Sequence, residues 1–191
     1  MPMSRMCSCS VHLAGKTPRA AHDAFTHAYQ RALLCVTPAR FGTDGHRDPE
    51  ALHSARIGVR SVPLHADPHV RLLVDVQYRI VEEPDTRGSW VVRLEHYAYA
   101  LRDAEEAELF AYHWHPHARS WITWPHMHLG PALGQLPAMA RAAHFPTGPV
   151  ALRDVLDLII RWFGVVPRQA DWDRQLRETR QLFAELHPGV L

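Results

Sequence analysis

The sequence predicts an α+β fold: an antiparallel meander sheet of four to five strands, with an N-terminal helix and two C-terminal helices packed on it. Three observations predict it. Residues 70–81 and 90–101 alternate apolar and polar side chains, the period of strands with one wet face. Residues 20–36 carry apolar side chains at three- and four-residue spacing, the period of an amphipathic helix. The last third of the chain has helical periodicity, so strands precede helices instead of alternating with them.

Residues 1–18 are small, polar and interrupted by Pro2 and Pro18, and are expected to form a flexible segment ahead of a single domain over 19–191. In the first helix Ala21, Phe25, Ala28, Ala32 and Val36 form the apolar stripe. "TPARFGTDGHRDPEAL" reads as a loop, with Gly42, Gly45 and two prolines. A weaker strand is expected near residues 57–64. In "HVRLLVDVQYRIV", Val70, Leu72, Val74, Val76, Tyr78 and Ile80 share one face, opposite Arg71, Asp75, Gln77 and Arg79. In "GSWVVRLEHYAYAL", strict alternation puts Val92, Leu94, Ala98 and Ala100 on one face and Arg93, Glu95, Tyr97 and Tyr99 on the other. "EEPDTRG" joins the two as a hairpin connection. A third strand spans about 108–115, after the acidic turn "RDAEEA", and a fourth contains "SWITW". The next helix lies between Thr147-Gly148 and the stop signals Gly164 and Pro167. Leu152, Val155, Leu156, Leu158, Ile159, Ile160, Trp162 and Phe163 cover most of its circumference, which predicts burial on several sides. The last helix, "DWDRQLRETRQLFAEL", turns Trp172, Leu176, Thr179, Phe183 and Leu186 inward.

Composition narrows the function. A chain of 191 residues can bury a core without disulfides. Its formal net charge of +1 excludes a global field toward nucleic acid or membrane. Lys16 is the only lysine, so arginine, suited to bidentate contact with carboxylate or phosphate, carries the rest of the positive charge. Three cysteines, Cys7, Cys9 and Cys35, make no disulfide framework and suggest a reducing compartment. No 18-residue apolar run predicts a membrane span, and the first residues lack a secretory apolar region, so a cytoplasmic protein is expected.

The compositional outlier is histidine, fifteen in all, five of them within the sixteen residues 113–128. "YHWHPHARSWITWPHMHLG" contains His113 and His115, then His126 and His128, each pair on one face of a strand. Two chemistries use convergent imidazoles. Neutral imidazoles bind zinc and similar metals, three ligands and one open position being typical of a catalytic site. Alternatively, imidazoles with a pKa near ~6.5 act as base and acid on a phosphodiester without a metal. A tight turn at 116–119 would hold His115 and His126 about 20 Å apart. Convergence therefore requires a departure from a tight hairpin, for which Pro116 and Pro125 argue and against which "SWITW" argues. His144, ahead of a helix, is a further candidate catalytic residue. Arg119, Arg141 and Arg153 are candidates to hold phosphate, and Glu108 to orient an imidazole. His96 and Glu95, expected on opposite faces of the neighbouring strand, are further candidate partners. His22, His27, His46, His53, His65, His69 and His187 are scattered and expected to be solvated, and Trp114, Trp121 and Trp124 to be packing residues.

Through Tyr112, His115-Pro116, Pro125-His126 and His128 the sequence resembles bacterial toxins of the TumE type, the toxin half of a toxin–antitoxin pair. The resemblance covers about a fifth of the chain. The Arg-Tyr-Asp-Asn element that precedes the first histidine in that family is missing here. The resemblance implies a toxin or defence role, RNA as target and a cognate antitoxin as partner. Three expectations follow. The first is an RNA-directed phosphodiesterase using His115, His126 and His128, with His113 and His144 in support. The second is a zinc site built from His113, His115, His126 and His128. The third is a non-catalytic interaction module.

Overall fold

A computed structural model describes residues 14–44, 48–117, 121–134 and 137–185, leaving out the side chains of Ala138, Arg141 and 180–185. Helix α1 (Pro18–Leu33) begins where the Thr17 side chain accepts a hydrogen bond from the Ala20 N–H at 3.1 Å. Pro18 follows in the first turn, where its missing N–H breaks no helical bond. Strands β1 (Phe41–Thr43), β2 (His53–Ile57), β3 (Val62–Leu64), β4 (Asp67–Glu82), β5 (Trp90–Arg102), β6 (Glu108–Trp114), β7 (His126–Leu129) and β8 (Phe145–Pro146) follow, with helix α2 (Ala138–Ala142) between the last two. Helices α3 (Leu152–Trp162) and α4 (Trp172–Glu185) end the described chain.

Among the described residues the sheet is antiparallel, in the order β1-β2-β4-β5-β6-β7-β8, with β3 also paired to β4. The fold is α+β, with eight strands where the sequence suggested four to five. The surplus comes from β1, β3 and β8, two or three residues each, too short to show alternation.

β4 and β5 pair antiparallel through the expected hairpin, from Glu82↔Trp90 to Arg71↔Arg102. One irregularity changes the reading of β5. Gln77 pairs with His96 but Tyr78 pairs with Leu94, so Glu95 is an extra residue, a β-bulge. Beyond it the alternation is inverted. Tyr97, Tyr99 and Leu101 join Val92 and Leu94 in the core, and His96, Ala98 and Ala100 turn to the other face. Ala98 and Ala100 thus lie opposite the face that strict alternation gave them.

The core lies between the sheet and α1, α3 and α4. Tyr97 and Tyr99 stack at 4.9 Å, and the Tyr99 hydroxyl meets that of Tyr29 at 2.9 Å in full burial. The Val150 N–H donates to the Tyr97 hydroxyl at 3.1 Å, tying the lead into α3 to the sheet. In α3 only one face is buried, at Leu152, Val155, Leu156 and Ile159. Trp162 is 79% exposed and Phe163 43%, so this helix is not enclosed on all sides as expected. Phe163 still touches the sheet, its ring 5.1 Å from that of Phe110 on β6, whereas Trp162 is turned to solvent. In α4, Leu176 and Thr179 face inward as expected.

"SWITW" supplies no strand in its described residues. The fourth expected strand is β7, after Pro125, and Trp121 stands 78% exposed in the connection. His22 and His53, expected to be solvated, are buried. His53 Nε2 contacts the Asp48 carbonyl at 2.7 Å. At the other end of the hairpin ladder, Glu106 adopts a left-handed backbone, φ 67°. Its carboxylate accepts from the Ser61 hydroxyl (2.7 Å), Arg71 (2.9 Å) and Arg102 (3.2 Å).

Candidate metal centre

The sheet face turned away from the helices carries the histidines. Side chains directly opposite each other on paired strands share a face. His113 is opposite Ala98 on β5 and His126 on β7, and Ala111 is opposite His128. The bulge at Glu95 brings His96 to this face beside His115, and the β7–β8 register, continued one residue, sets His144 beside His128. Six histidines therefore occupy three successive rungs: His96 and His115, then His113 and His126, then His128 and His144. β6 and β7 pair with His113 opposite His126, so the separation of about 20 Å that a tight hairpin at 116–119 would impose does not arise.

Ring centroids confirm the convergence. His113 lies 5.8 Å from His126, 6.2 Å from His115 and 4.7 Å from His128. His126 lies 5.2 Å from His115 and 5.0 Å from His144, and His128 lies 5.7 Å from His144. The ligand atoms of His113, His115 and His126 all fall within 4.8 Å of one another, and so do those of Glu108, His113 and His128. Imidazole nitrogens at ~2.0–2.1 Å from one zinc ion lie up to about 4.2 Å apart, so small side-chain shifts suffice to close either set.

Ring orientation is fixed from behind. His126 Nδ1 contacts the Trp124 carbonyl at 2.9 Å, and His144 Nδ1 the Ala142 carbonyl at 3.1 Å. With Nδ1–H donating there, Nε2 keeps its lone pair. His128 Nδ1 meets a Glu108 carboxylate oxygen at 2.9 Å, the orienting role the sequence suggested for Glu108. His115 Nδ1 and His96 Nδ1 are buried and have no hydrogen-bond partner among the described residues. Burial, then the neighbouring His128, pushes the His113 pKa down to about 4 against the pull of Glu108. His126, 2% exposed, is lowered by burial and by His115, His144 and His128. His96 is lowered chiefly by burial. These three rings are neutral at pH 7 and free to act as ligands. Glu108 is held below the ordinary carboxylate range: burial would raise its pKa, but the bond to His128 and the nearby Arg102 guanidinium lower it.

A cleft of about 730 Å³ opens beside the cluster, lined by Leu52, Gln77, Arg79, Glu95, His96, His115 and His117. Glu95 shares this lining with His96 because of the bulge, where sequence alternation had parted them. Its carboxylate lies 3.4 Å from His117 Nε2 and 3.8 Å from Arg79 Nε.

The candidate phosphate-holding arginines do not join this face in the described structure. Arg153 sits on α3, on the helical side, with its guanidinium 2.7 Å from Asp154. Arg119 and the Arg141 side chain lie outside the described residues, as do Cys7, Cys9, His46 and His187. The sequence offers His96 as a candidate partner but not its place on this face, because a bulge leaves no signal in alternation. No helix among the described residues is long and apolar enough to cross a membrane. Compared with protein-family models, with curated proteins and with solved structures, the chain matches none.

Proposed function

We propose that His113, His115 and His126 hold a divalent transition-metal ion of the zinc class, and that the protein is a metal-dependent enzyme of hydrolytic type. The observation that carries this reading is the mutual approach of the three ligand atoms to within 4.8 Å. Supporting it are the buried, unpartnered Nδ1 of His115 and the carbonyl that fixes the His126 ring. A bound zinc ion would supply Lewis acidity and an acidified water. Three protein ligands leave one position open, the pattern of catalytic sites. His115 belongs to both the ligand set and the cleft wall, so that position has a place to receive a substrate. Glu95, between His117 and Arg79, is the carboxylate available to position the polar part of that substrate.

Elemental analysis and calorimetric titration of the chelator-treated protein with zinc test the reading. Uptake of at least one ion per chain is expected, reduced by at least one ion in His126→Ala and His113→Ala variants that keep the wild-type circular dichroism. No uptake by the wild type overturns it. The metal-free reading, in which His115, His126 and His128 cleave an RNA phosphodiester by acid–base action, uses the same cluster. RNA oligonucleotide cleavage that persists in chelator would support it instead. A toxin role with a cognate antitoxin rests on the resemblance alone, and growth arrest on expression tests it. An interaction module predicts neither metal nor cleavage.

A further inference from the structure

We infer that the centre takes two ions, the second held by Glu108, His113 and His128, with His113 bridging. This rests on the metal reading above and goes beyond it in number and ligand identity. Glu108, His113 and His128 form a second complete set, with ligand atoms within 4.8 Å of one another. The two sets lie on opposite sides of His113 along the strands. His115 is one rung toward the end of β6, whereas His128 and Glu108 lie toward its start. The two nitrogens of an imidazole point to opposite sides of the ring, so each can serve one set. Bridging requires His113 to give up its N–H proton to solvent as the second ion binds.

Glu108 reaches this face through a built feature. Leu101 pairs with Phe110 but Arg102 with Glu108, so Leu109 is an extra residue. The backbone of Glu108 is in turn pressed against Gly130, where a Cβ would sit 1.9 Å from the Glu108 carbonyl oxygen. The Gly130 N–H donates to the Leu109 carbonyl at 2.8 Å and locks this approach. His144, its ring 5.7 Å from His128, flanks the same set.

The test is equilibrium dialysis of the full chain, freed of metal by chelator, against Co(II), with elemental analysis and electron paramagnetic resonance. Two ions per wild-type chain are expected, falling to one in Glu108→Gln and one in His115→Ala. The signal of the first Co(II) should weaken when the second enters, because a shared imidazolate couples the spins. One ion in the wild type, unchanged by Glu108→Gln, overturns the second seat and leaves the His113, His115 and His126 site standing. No ion overturns both. Two ions with additive, uncoupled signals overturn the bridge through His113.

Discussion

Gly130→Ala tests how the candidate centre is held. The backbone of Gly130, φ −88° and ψ 168°, is open to alanine, so the penalty is steric and not conformational. The new Cβ would lie 1.9 Å from the Glu108 carbonyl oxygen and 2.3 Å from its carbonyl carbon. Restoring ordinary contact requires the start of β6 and the end of β7 to part by roughly 1.5 Å. Both obstacles are backbone, so no rotamer change relieves them. Overpacking of this kind costs about 1–3 kcal/mol, and the upper half applies here because the Gly130–Leu109 hydrogen bond is strained as well. For a chain of this size that lowers Tm by roughly 4–12 °C. Thermal melting followed by circular dichroism reads it. Gly148→Ala is the control: nothing lies within 4 Å of its Cβ, and it should be neutral or stabilise by about 0.4–1 kcal/mol. A Gly130→Ala protein melting within about 2 °C of wild type, the scatter of a surface change, would refute the close approach.

Further outcomes follow from other parts of the structure. Ile159, fully buried on α3, should cost about 2–5 kcal/mol as Ile159→Ala, whereas Trp162→Ala, at 79% exposure, should stay within about 1 kcal/mol; urea denaturation compares them. Glu106→Gln should destabilise by about 1–3 kcal/mol at pH 7. The Ser61 hydroxyl first, then Arg102 and Arg71, hold the Glu106 carboxyl below its ordinary range. Its contribution is therefore complete above the unfolded value of ~4.3 and is lost as pH falls through the lower folded value, so wild type and variant should converge below pH ~4 in urea titrations. His115→Ala should leave Tm nearly unchanged without metal and reduce the rise in Tm that zinc gives the wild type, read by melting with and without the ion.

The parts of the fold legible in the sequence were those built from long, regular repeats. β4 alternates without interruption over its buried positions, and α1 keeps its stripe with a cap and proline at its start, so both were readable to within a few residues. β5 was readable as a strand, but the side assigned to Tyr97 and Tyr99 was wrong because Glu95 adds one residue and every later side chain changes face. β7 is four residues between Pro125 and Gly130, less than two periods of alternation, and the more β-prone "SWITW" drew the assignment instead. The histidine cluster was legible as chemistry before it was legible as geometry. The spacing paired His113 with His115 and His126 with His128, but only the His113↔His126 register brings the pairs together. His96 could not be added without knowing of the bulge.

The order of strands in the sheet follows the order of strands in the chain almost throughout. That connectivity has a kinetic consequence. The β4–β5 hairpin combines a short connection with the longest ladder in the sheet and is the natural nucleus, from which pairing spreads outward strand by strand. The candidate centre sits at the last strands to be added, β6 to β8, and β8 is only two residues long. Amides of β7 and β8 should therefore exchange with solvent through local opening while those of β4 and β5 wait for global unfolding. An ion ligated from both β6 and β7 would close that gap, protecting the edge of the sheet to nearly the degree of its centre.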